Sequence, residues 1–268
     1  MNLNQFLGQD KNEKPFDNIV SDGGYTGIFR TIACIGDSLS SGEFESTNEN
    51  GDVRYHDFYD YSWGQYLARL SGCEVKNFSR GGMTAKCYCE EFAPWNGFFD
   101  KARGGWAQAY IIALGVNDIL NQNMELGSLS DICREDWTKN KETFAGYYGK
   151  LVQRCKEMEP DAKFFFMTMP HHTQNDARWE KTEAHAALLR EMADFFDNAY
   201  VLDFTKYAPQ YSGEIRQNMF LGGHMNPCGY MFTAKLVASY IDYIIRHHME
   251  DFRQAGLIGT GLKRTPEI

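Results

Sequence analysis

A serine, a glycine pair, an asparagine and a histidine lie far apart in the chain, each where a short apolar run or a loop gives way to a polar turn. Ser38 sits in Gly36-Asp37-Ser38-Leu39-Ser40 and Gly82 in Asn77-Phe78-Ser79-Arg80-Gly81-Gly82. Asn117 sits in Gly115-Val116-Asn117-Asp118 and His224 in Gly222-Gly223-His224-Met225-Asn226-Pro227. These residue types fit acyl transfer. A serine hydroxyl is a weak nucleophile until a base takes its proton, and a histidine, with an ordinary pKa of about 6.5, is suited to take it. The oxyanion that follows needs preorganised N–H donors. A glycine N–H can approach closely, the Asn117 amide supplies a second donor, and Ser38's own N–H a third.

Those residues must be positioned by strand ends. Thr31–Gly36 reads as a buried strand, Glu74–Phe78 as a second, Tyr110–Leu114 as a third, Lys163–Met169 as a fourth and Tyr200–Asp203 as a fifth. Helices are expected between them: one opened by a capping box at Ser62-Trp63-Gly64-Gln65 and closed near Gly72, then Phe144–Met158, Asp176–Phe196, and a last one started by Asn226-Pro227. Continuous apolar strands alternating with helices predict a parallel sheet covered on both faces. Right-handed crossovers then give a three-layer α/β/α sandwich, flavodoxin-like, with strand order 2-1-3-4-5. In that order strand one lies between two and three, so Gly82 and Asn117 flank Ser38, and ligands bind beyond the carboxyl ends of the strands. Residues 1–30 read as an N-terminal extension, residues 31–268 as a single domain, Gly42–Tyr61 as a long loop and 83–106 as irregular.

Taken in order, the blocks resemble the SGNH, or GDSL-type, hydrolase family. IACIGDSLSSG matches its first block, NFSRGGMT the second, ALGVNDI the third and GGHMNPCGY the fifth. The resemblance runs from about Thr31 to Glu250 and implies Ser38 as nucleophile, Gly82 (or Gly81, if the register slips by one) and Asn117 at the oxyanion hole, and His224 as base. One position departs. The family usually places an Asp three residues before the His, where this chain has Leu221. Removing the acid's role costs about 10⁴ in rate in the serine-protease template. A backbone carbonyl near Leu221 is the first candidate to hold the imidazole, with Asp203 and Glu214 as side-chain alternatives.

Other residues carry weaker signals. His171 and His172 follow strand four and are candidate substrate contacts. Tyr55, Phe58, Tyr59, Tyr61 and Trp63 interleave with Glu43, Glu45, Glu49, Asp52, Asp57 and Asp60. Aromatic faces and carboxylates suit a sugar, though a solvated acidic loop explains the same stretch. Asp118 reads as a helix cap. The seven cysteines are scattered without a C-x-x-C pair, which suits reduced thiols rather than disulfides or zinc. No metal or organic cofactor is expected.

Lys and Arg number 27 and Asp and Glu 36, a formal charge of −9. That argues against nucleic acid and anionic membrane, which demand a basic face. There is no apolar run of transmembrane length and no signal-like apolar core in the first residues, so the expectation is cytoplasmic. The reading is a carboxylic ester hydrolase acting through an acyl-serine, with acetyl groups on a carbohydrate as preferred substrate. The alternatives are a degenerate domain that binds acylated glycans, an acyltransferase with the same residues, and a partner-binding domain using Trp95 and Trp106. The oligomeric state is left open.

Overall fold

The structure, a computed structural model, describes residues 7, 10–172 and 178–265. In chain order its main elements are β1 (Thr31–Gly36), α1 (Ser38–Ser41), β2 (Glu43–Thr47), β3 (Val53–Asp57), α2 (Trp63–Ser71), β4 (Glu74–Asn77), β5 (Ala109–Ala113), α3 (Phe144–Met158), β6 (Lys163–Met167), α4 (Trp179–Phe195), β7 (Ala199–Leu202), α5 (Gly213–Met219), β8 (Phe220–Leu221), β9 (His224–Met225) and α6 (Pro227–His247). Strands β4-β1-β5-β6-β7 form one sheet. All its pairings are parallel. Renumbered within the sheet, that is the expected order 2-1-3-4-5. Strand ends differ from the sequence reading by one or two residues. Asp176 and Ala177, expected to begin the third of the predicted helices, lie outside the described residues.

Strand alternation divides the core between the two faces of the sheet. Ala33, Ile35, Tyr110, Ile112, Phe164 and Phe166 pack with α3 and α4 on one face. Ile32, Cys34, Ala109, Ile111 and Phe165 pack with α2 and α6 on the other. This accounts for the run Phe164-Phe165-Phe166, every ring of which is fully buried. Such a strand cannot show a polar face because it has none.

The helix boundaries follow local chemistry. Ser62 Oγ accepts the Gln65 N–H at 3.3 Å at the head of α2. The reciprocal half of the expected capping box is absent: Gln65 Nε2 donates instead to the Val75 carbonyl at 2.8 Å, tying α2 to β4. Asn226 caps α6 through its side chain and Pro227 stands at the first helical position.

The stretch expected as a long loop is a β-hairpin. Strands β2 and β3 pair antiparallel from Glu43↔Asp57 to Thr47↔Val53, closed by a turn in which Asn48 Oδ1 accepts the N–H groups of Asn50 and Asp52. Every residue of β3 is exposed, so this strand carries no apolar alternation to betray it. Phe44 packs its ring against Phe58, Tyr61 and Tyr230.

The N-terminal stretch is tied to α6. Phe16 lies edge-on to Phe204 and Tyr240, and Glu13 grips Arg246 with Nη2···Oε1 at 2.6 Å. Among the described residues no helix is long and apolar enough to cross a membrane.

Candidate active site

The register of the sheet brings three strand ends together. Cys34 of β1 pairs with Asn77 of β4 on one side, and Gly36 pairs with Ala113 of β5 on the other. Ser38, Gly82 and Asn117 follow directly from these ends. The β8–β9 turn delivers His224 from across the sheet. All four line one cleft of about 680 Å³, with Asp37, Glu43, Tyr55, His172, Arg178 and Arg216 among its other walls.

Ser38 opens α1, and Asp37 caps it by accepting the Leu39 N–H at 3.0 Å. Asp37 is 2 % exposed; burial pushes its carboxyl up to about 6, against the pull of the Leu39 N–H and the His224 charge. Gly82 has φ of +73° with open space where a Cβ would stand. Glycine is therefore favoured there by the left-handed backbone and not by crowding. At Gly81 the reverse holds: a Cβ would run into the Glu43 carboxylate. Asn117 Oδ1 accepts from Asn121 at 2.8 Å and its Nδ2 donates to the Met83 carbonyl at 3.0 Å. A primary amide carries two N–H donors, so one remains for a ligand.

Asp118 is not the helix cap expected from sequence. It is fully buried, its Oδ1 accepts the Ala85 N–H at 2.7 Å, and its Oδ2 has no partner among the described residues. Burial raises its carboxyl to about 7, opposed by that N–H and helped by the Asp37 charge.

His224 is held by the hairpin. Its Nδ1 lies 2.7 Å from Glu45 Oε1, and Glu43 Oε1 lies 3.1 Å from Nε2. Residues 43 and 45 share a face of β2 because a strand repeats every two residues, while Phe44 points to the opposite side. Burial raises the Glu43 carboxyl, opposed by the His224 charge and reinforced by those of Asp57 and Glu45. Among the described residues no hydrogen bond joins Ser38 to His224; in apo sites such bonds are often long and tighten only around substrate.

The group on Nδ1 is thus neither the carbonyl near Leu221 nor either of the side chains considered. Asp203 is bound by Arg190 at 2.8 and 3.1 Å, and Glu214 is exposed on α5. Sequence reasoning placed Glu43 and Glu45 in a solvated loop. The Glu-Phe-Glu alternation was the available signal, but nothing local links it to a histidine 179 residues away.

Of the weaker candidates, His172 lines the cleft but His171 does not. His171 is buried, stacked 3.3 Å from Trp179 and 2.9 Å from Glu183. Trp63 does not reach the cleft either: it is 1 % exposed and donates to Ser40 Oγ at 3.2 Å. It lines a separate apolar recess of about 50 Å³ behind Leu39, Val116 and Tyr211, which that recess shares with the cleft. Of the hairpin aromatics Tyr55 alone lines the cleft, edge-on to the His224 ring with centroids 5.6 Å apart. Trp95 is exposed, whereas Trp106 is tied to Glu159 at 2.9 Å.

Solved structures share this fold. A family 2 carbohydrate esterase with a carbohydrate-binding domain, from Corynascus thermopiles (Myceliophthora fergusii), aligns with TM-score 0.55 and 17% identity over 81% of this chain and 66% of its own. A family two carbohydrate esterase from Clostridium thermocellum, in complex with cellohexaose, aligns with TM-score 0.53 and 16% identity over 83% and 65%. A carbohydrate acetylesterase from Sinorhizobium meliloti aligns with TM-score 0.52 and 15% identity over 80% and 99%. No curated protein matches the sequence. The model of the GDSL-like lipase/acylhydrolase family matches residues 34–232, most of the chain, and with the nucleophile block, the sheet order and the cleft in agreement, the protein belongs to that family.

Proposed function

We propose that the protein is a serine esterase that removes small acyl groups, acetyl foremost, from a carbohydrate. The observation that carries the reading is the convergence of Ser38, Gly82, Asn117 and His224 on one cleft. Ser38 Oγ bonds to the ester carbonyl carbon as its proton passes to His224 Nε2. The carbonyl electron pair moves onto oxygen, where the N–H groups of Ser38 and Gly82 and the free N–H of Asn117 meet it. Collapse of the intermediate breaks the bond to the alcohol oxygen, which leaves with the proton from Nε2. Water then attacks the acyl-serine, passes its proton to Nε2 and releases the carboxylic acid as Ser38 regains its hydrogen.

Two features support the substrate class. The apolar recess beside the cleft is small, which suits a short acyl chain. The cleft itself is wide and polar, with Tyr55 and Arg216 among its lining residues, which suits a sugar better than an alkyl chain. Neighbours described as carbohydrate esterases point the same way. The test is hydrolysis of p-nitrophenyl esters from acetate to decanoate by the wild type and Ser38→Ala. The expected result is a preference for acetate and a loss of at least about 10³-fold in Ser38→Ala. Equal rates in both proteins would sink the serine mechanism, and a preference for decanoate would sink the small-acyl reading.

A further inference from the structure

Resting on that reading, we propose that Glu45 is the acid of the catalytic triad, delivered by the hairpin inserted after the nucleophile rather than by the loop that carries the histidine. It is a positioning residue: it acts on the ester only through His224.

Three observations converge on it. Glu45 Oε1 lies 2.7 Å from His224 Nδ1, the length of a charge-assisted hydrogen bond. The same oxygen accepts the Gly223 N–H at 2.6 Å, so the carboxylate is fixed against the backbone of the residue preceding the histidine. The β8–β9 turn is also shaped to admit it. A Cβ at Gly222, where φ is +64°, would collide with the Glu45 carboxylate, and one at Gly223 would lie 2.8 Å from Oε1. The glycine pair in Leu221-Gly222-Gly223-His224 thus makes room for a carboxylate arriving from β2. Both Glu45 and His224 have side chains only about one-seventh exposed (14% and 16%), so their interaction is shielded from water and the geometry held.

The chemistry follows from the atoms. With Nδ1–H donated to Glu45, the neutral imidazole carries its lone pair on Nε2, the nitrogen that must take the Ser38 proton. Glu43, 3.1 Å from Nε2 and with its pKa raised by burial, then either holds a proton that it donates to Nε2 or gives way to the Ser38 hydroxyl. When Nε2 takes the Ser38 proton, the imidazolium stands against the Glu45 carboxylate, which keeps its charge and takes no proton. Position 221, where the family usually carries its acid, is then free to hold a leucine.

The experiment compares Glu45→Gln and Glu45→Asp with wild type, with Ser38→Ala as the control for the serine mechanism itself. Glu45→Gln is expected to lower kcat by at least about 10²-fold, toward the roughly 10⁴ of the protease template, with KM within about twofold. Glu45→Asp should recover at least about tenfold of that loss. The second readout needs no turnover. ¹⁵N spectra of His224, recorded well above the ordinary imidazole pKa of about 6.5, should show the proton on Nδ1 in wild type and its redistribution toward Nε2 in Glu45→Gln. A Glu45→Gln enzyme within about threefold of wild type, whose activity still vanishes on Ser38→Ala, overturns the inference and leaves the esterase standing. A wild-type spectrum with the proton on Nε2 overturns it too, whether or not any ester is cleaved.

Discussion

Helix α6 has a two-carboxylate clamp at each end. Ahead of its N-terminus, Glu43 and Glu45 flank the two ring nitrogens of His224 at 3.1 and 2.7 Å. Near its C-terminus, Glu13 and Asp242 flank the Arg246 guanidinium at 2.6 and 2.7 Å. In both, a carboxylate comes from a distant segment. The difference is the cation. Arg246 is charged at every accessible pH, its side chain is 5% exposed, and both its partners raise its pKa further through hydrogen bonds. This clamp can only hold. In the mechanism proposed above His224 takes and returns a proton at the cleft, so there the same residue types would form a clamp whose charge changes during the reaction.

Rate and stability separate the two clamps most directly. Glu45→Gln should cost rate and little stability. Glu13→Gln should leave kcat unchanged and cost about 2 kcal/mol in urea denaturation, because the charge-assisted hydrogen bonds from Arg246 to Glu13 lose their charge while Asp242 still faces the guanidinium. A loss below about 1 kcal/mol in Glu13→Gln would show that the Arg246 clamp holds nothing, and a fall in its kcat would show that the two clamps are not separate in purpose.

Both clamps were hidden in the sequence for one reason, and the rest of the fold was legible for another. Thr31–Gly36 and Phe164-Phe165-Phe166 announce themselves because burial on both faces demands unbroken apolar runs, and the family blocks sit at their ends. Ser38, Gly82, Asn117 and His224 could therefore be named, and the structure gathers them in one cleft. Glu45 and Glu13 could not. Each lies in a polar segment, and its meaning comes only from a contact 179 or 233 residues away in the chain. Periodicity reports what an element buries locally; it is silent on which exposed-looking carboxylate a distant turn has made room for. His171 lies away from the cleft because it stacks on Trp179; Trp63, which donates to Ser40, is outside the cleft but lines the apolar recess beside it.

Asp118 is a buried carboxylate with no cation beside it among the described residues. The Arg246 hydrogen bond holds the Glu13 carboxyl below its usual range, so its contribution is present above the unfolded pKa and fades as pH falls through the folded one. Burial holds Asp118 up at about 7, against about 3.9 in the unfolded chain. Between those values the native state holds the extra proton, so stability falls as pH rises from about 4 to 7. Asp118→Asn removes that slope. Measured by thermal or urea unfolding at both ends of the window, the wild type should lose on the order of 3 kcal/mol more than the variant. Parallel pH dependences in the two proteins would mean that Asp118 is ionised in the native state despite its orphaned Oδ2.

The smallest effect tests what the first clamp is for. Leu221 pairs with His224 across β8 and β9, and cross-strand partners place their side chains on the same face, about 5 Å apart at Cβ. Leu221 is 43% exposed, so a shorter polar side chain there costs little packing. If His224 needs only a carboxylate at Nδ1, Leu221→Asp placed in the Glu45→Gln background should restore about tenfold in kcat, worth about 1.4 kcal/mol. Placed in the wild type it should change nothing beyond about threefold, since Nδ1 is already engaged. Recovery of less than about threefold in the double variant would mean that Glu45 matters through the whole hairpin, by way of its hold on the Gly223 N–H, and not as a charge that the histidine turn could supply for itself.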